Sequence, residues 1–187
     1  MSEETYKALA IRSQAFKKVE LVDVPQRGTL SNIAQKIGCS IIARFPAKFT
    51  ENTYSTNKNV CFSMWVNDLG VFEDKPNRIA THIAESLLTA RVERELDISK
   101  KDPKNADLER LYEMAQTVKN ELSPVHGDAV ITLTYEEGDE SVGVDFPPQA
   151  YEIIISMINA ETWEKLRDWS IRLTEVLDAE QEAIDSE

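Results

Sequence analysis

Four side chains could supply nucleophile, general-base or soft-metal chemistry near neutral pH: Cys39, Cys61, His82 and His126. A Cys-His pair needs a thiolate, which is stabilised at a helix N-terminus or beside a cation. Both cysteines fall instead in strand-like apolar runs, 39–45 and 60–66, where a thiol behaves as a small hydrophobe. The same four residues as a zinc site would be spaced by 22, 21 and 44 positions, without the close ligand pairs that one tight turn presents. His82 lies beside the apolar stripe of a helix and His126 in a turn at 123–127, so both read as structural or surface groups.

Carboxylates offer the next chemistry. Asp68 with Glu73, Asp74 and Lys75 resembles the acid-and-lysine set of metal-dependent nucleases, which must sit on adjacent strand positions to hold a cation beside a phosphate. Asp68 is expected in a turn and Lys75 runs into Pro76, so the set reads as a charged boundary. Glu136, Glu137, Asp139 and Glu140 read as a solvated hairpin tip. Glycine-rich phosphate loops and the G-x-S-x-G elbow do not occur. No catalytic residue, metal or cofactor is therefore expected, and the protein reads as non-enzymatic.

The elements that would position any site follow from periodicity. Residues 6–12 and 16–24 read as strands, 29–37 as a short helix stopped by Gly38, and 39–45 as a further strand. Residues 46–59 have the polar composition of a long exposed loop. Residues 60–66 and 71–73 are expected to pair as a hairpin around 67–70. Helix TLSNIAQKI resembles the first helix of a helix-turn-helix, but the β-branched continuation Ile41-Ile42 and then Pro46 predict a strand where a recognition helix is required.

Beyond Pro76 the apolar period lengthens. Ile79, Ile83, Ala84, Leu87 and Leu88 predict an amphipathic helix from 77 to about 97, and the stripe from Leu108 to Leu122 a second. Residues 129–136 and 141–146 predict a hairpin, followed by a helix from Pro148 and a last helix from about 160 to 179, with a break favoured at Asn159. The fold class expected is α+β: a β-rich N-terminal module with one short helix (1–76), then a mostly helical module (77–187) containing hairpin 129–146, the two sharing one core if they pack closely.

Charge divides near the same place. Residues 1–60 carry +4 and residues 61–187 carry −16, for a chain total of −12. Acids on the predicted helices, represented by Glu85, Glu93, Glu109, Glu113, Glu161, Glu164 and Asp168, would steer a basic partner in. The function expected is regulatory or inhibitory binding of a basic protein or protein–nucleic-acid complex, and such a surface could act as a nucleic-acid mimic. The alternative is single-stranded nucleic-acid binding by the basic module through Lys17, Lys18, Arg27, Lys36, Arg44, Phe45, Lys48 and Phe49, with an acidic tail. No apolar run reaches the ~18 residues of a membrane span, and the first residues lack a secretory pattern, so a cytoplasmic location with reduced thiols is expected.

Overall fold

A computed structural model describes residues 4–14, 18–45, 60–73, 75–101, 112, 115–116, 122–137 and 140–160. Its architecture is a mixed α+β arrangement around an antiparallel sheet of six strands. In chain order the elements are β1 (Thr5–Ile11), β2 (Val19–Pro25), α1 (Thr29–Ile37), β3 (Ile42–Phe45), β4 (Val60–Asn67), α2 (Gly70–Glu73), α3 (Arg78–Lys101), β5 (Ala129–Glu137), β6 (Glu140–Val144) and α4 (Pro148–Ala160). The predicted second long helix and the segment beyond Ala160 lie almost wholly outside the described residues.

Strand order is β2-β1-β5-β4-β3, with β6 also on β5. The central strand therefore comes from far along the chain: Leu9 pairs with Ile131 on one side of β5, and Met64 with Ile131 on the other. Strands from before and after residue 76 thus share one sheet and one apolar cluster.

Alternation along each strand sends side chains to two faces. Leu9, Ile11, Val19, Met64, Val66, Ile131 and Leu133 meet Ala80, Ile83, Ala84, Leu87 and Leu88 of α3 and Ala150 and Ile154 of α4. The α3 residues recur at the spacing that lines one side of a helix, as the sequence periodicity required. On the opposite face Tyr6, Ala8, Ala10, Val24 and Val130 meet Ile33 of α1, with Ile37, Ile42 and Trp65 alongside. The small side chains Ala8 and Ala10 leave room for Ile33, which is fully buried. α1 ends at Gly38, whose φ of 83° lets its N–H return to Ala34 O and Gln35 O.

The α3 start is tied into the sheet by Asn77, which is buried. Its Oδ1 accepts from Ala80 N at 3.1 Å, capping the helix, while Nδ2 donates to Ile11 O at 3.2 Å and Gly127 O at 2.8 Å. Its backbone N–H donates to Val125 O, and Thr81 Oγ1 links Asn77 O to Val125 N. One side chain thus joins α3, the end of β1 and the segment entering β5.

At the other end of the sheet β1 parts from β5, and β6 takes up the freed edge. Lys7 joins the two: its N–H donates to Asp145 Oδ1 at 2.6 Å and its carbonyl accepts from Phe146 N at 2.8 Å. The Gln26 side chain pairs both backbone groups of Gly143, accepting at 2.9 Å and donating at 2.7 Å, as a neighbouring strand would. Gly143 lies under the Tyr6 ring, so closely that an added Cβ would fall 2.3 Å from Tyr6 Cε1.

The structure corrects one local expectation. Residues 71–73 form helix α2 instead of pairing with β4, whose two edges are filled by β3 and β5. With both edges of β4 taken, the segment after Asp68 has no strand to join.

Two stability changes follow. Asn77→Ala should cost about 2–4 kcal/mol, since it removes a cap and leaves two carbonyls short of a donor, and should lower the urea midpoint. Gly143→Ala should cost about 1–3 kcal/mol through the clash with Tyr6, whereas Gly38→Ala, at a site with open space, should cost only about 1 kcal/mol of left-handed strain.

Candidate functional site

The end of the sheet organised by Asn77 gathers four segments: 12–14, 38–41, 68–73 and 125–128. Arg12 is its electrostatic anchor. Its guanidinium donates to Glu20 Oε1 at 3.0 Å, to Asp128 Oδ2 at 3.0 Å and to Lys36 O in the last turn of α1 at 2.6 Å. Asp128 Oδ1 in turn accepts from Ser13 N and Oγ. Burial lowers the Arg12 pKa, and the bonds and charges of Asp128 and Glu20 more than offset that, leaving it above the ordinary guanidinium value. This network fixes β1, β2, α1 and β5 to one another, so its charges are structural.

Beside the anchor lies an apolar shoulder. Phe72 is 86% exposed, Val71 63%, Ile41 53% and Leu69 41%. The backbone beneath is held: Asp68 N donates to Ile41 O at 3.1 Å, Leu69 N to Asn67 Oδ1 at 3.1 Å and Phe72 N to Leu69 O at 2.9 Å. Gly70 is buried, and α2 turns Val71 and Phe72 outward. Sequence reasoning missed these residues because it paired 71–73 with β4. The contiguous apolar stretch Leu69-Gly70-Val71-Phe72 between Asp68 and Glu73 is the signal that could have found them.

Of the expected basic and aromatic set, Lys18, Arg27, Lys36, Arg44 and Phe45 are described. Lys18 and Arg27 flank opposite ends of β2, roughly 20 Å apart, and Lys18 Nζ donates to Ser13 O. Lys36 sits in the last turn of α1. Arg44 lies 5.0 Å from the centroid of Trp65, its register partner on β4. Trp65 Nε1 donates to Thr132 Oγ1 at 2.9 Å. Phe45, one position further along β3, is half-buried and packs against the α3-side core, on the face opposite Arg44. Lys17, Lys48 and Phe49 lie outside the described residues.

Of the expected acidic surface, Glu85 and Glu93 lie on α3 and are partly exposed. Glu85 Oε2 is 3.2 Å from His82 Nδ1. Glu109, Glu113, Glu161, Glu164 and Asp168 lie outside the described residues. The nuclease-like set is also not on adjacent strands, since Asp68 is in a turn and Glu73 on α2. Cys39, just past the end of α1, approaches Ile41 O at 3.4 Å through its Sγ. Among the described residues no cluster of three or more His, Cys, Asp or Glu is arranged for a metal ion, and no helix is long and apolar enough to cross a membrane.

Comparison with known proteins found no matching family model, no similar curated protein and no similar solved structure.

One buried polar group stands out at the far end of the sheet. Tyr6 is 2% exposed and its hydroxyl has no hydrogen-bond partner. Burial pushes its pKa up to about 12 from 10.0; the Thr29 hydroxyl partly offsets this, but it hydrogen-bonds to the Pro25 and Gln26 carbonyls. The fold holds the neutral phenol, so this stabilisation is complete below pH 10.0 and is lost as pH rises towards about 12. The loss amounts to roughly 2–3 kcal/mol. Tyr6→Phe should therefore match or exceed wild type in urea unfolding at pH 8 and lose less stability than wild type between pH 10 and 12. Equal losses in the two proteins would contradict the assignment.

Proposed function

We propose that this is a non-catalytic recognition protein that regulates or inhibits a basic macromolecular partner through a surface contact. The observation that carries the reading is Phe72, a large apolar side chain 86% exposed on a held element, with exposed Val71 and Leu69 on the same segment and exposed Ile41 bonded through its carbonyl to Asp68. Large apolar side chains grouped on a folded surface are what protein partners bury, and aromatic residues supply most of the energy of such contacts. The formal charge of −12 favours a basic partner over nucleic acid, because it would repel a phosphate backbone and draw cationic surfaces in.

The nucleic-acid reading keeps the Arg44–Trp65 pair as its support. Among the described residues, Lys18 and Arg27 lie at opposite ends of β2 and Lys36 on α1, on whose side of the sheet Trp65 also packs.

Phe72→Ser should leave the unfolding free energy measured in urea within about 0.5 kcal/mol of wild type, since an exposed side chain is changed. Affinity capture from native lysate with the two proteins in parallel should retain a partner on wild type and lose it on the variant, the partner eluting as salt rises. Identical capture by both would reject the reading. Salt-sensitive retardation of a labelled oligonucleotide at about 50 mM salt, abolished by charge reversal at Lys18 and Arg44, would favour nucleic acid instead.

A further inference from the structure

We draw no further inference here: the strongest candidate, the exposed apolar patch of Ile41, Leu69, Val71 and Phe72 at the end of the sheet organised by Asn77, belongs to the site already described, and nothing in the structure shows what covers it.

Discussion

A buried primary amide must find partners for both its oxygen and its nitrogen, and Asn77 meets that demand by joining three parts of the chain that are distant in sequence. Its oxygen caps α3, and its nitrogen gathers the carbonyls of Ile11 and Gly127. Because Ile11 ends β1 and Gly127 leads into β5, the contact sets where the long helix begins relative to the two strands at the heart of the sheet. The packing of Ile83, Leu87 and Leu88 against Leu9 and Ile131 depends on that origin. Aspartate would keep the cap and lose the donors, and serine would be too short to serve both sides, so the residue type follows from the geometry.

The opposite end solves a different problem. β5 is longer than its contact with β1, and the edge left over is filled by β6, which needs its own outer side closed. Gln26 and Asp145 do this with side-chain groups in place of a strand, and Gly143 makes the space for Tyr6 to lie across the junction. The orphaned Tyr6 hydroxyl is the cost of that close packing. The two ends thus differ in character: one is saturated with hydrogen bonds and carries the exposed shoulder, while the other is packed around a polar atom without a partner.

Much of this organisation was legible in the sequence because it is written in periodicity. The short helix at 29–37 and its glycine stop, the start of the long helix after Pro76, and the hairpin about residue 138 all follow from spacing alone. Strand neighbours did not, since nothing in residues 60–73 says that β4 is taken on both edges by β3 and β5, and that fact turns 71–73 into a helix. The same limit hid the shoulder. Phe45 and Phe72 look alike in sequence, each an aromatic next to one charged residue, yet one is half-buried by strand alternation and the other is pushed outward by a turn. Charge was legible as a total but not as a surface, because Glu20, Asp23 and Asp128 are held by Arg12 and Lys7 and so do not act as open acid.

The position of β5 between β1 and β4 has a consequence for how the chain is made. During synthesis from the N-terminus, β1, β2, β3 and β4 emerge well before the strand that must lie between them, so the facing edges of β1 and β4 stay open until residues 129–137 arrive. The sheet cannot close as it is translated, and completion waits on contacts separated by more than a hundred residues, which makes folding slow relative to a chain of local hairpins. The ribosome-bound N-terminal segment is therefore the species most exposed to wrong strand pairing, and the interval before β5 emerges is when a chaperone would have most to protect.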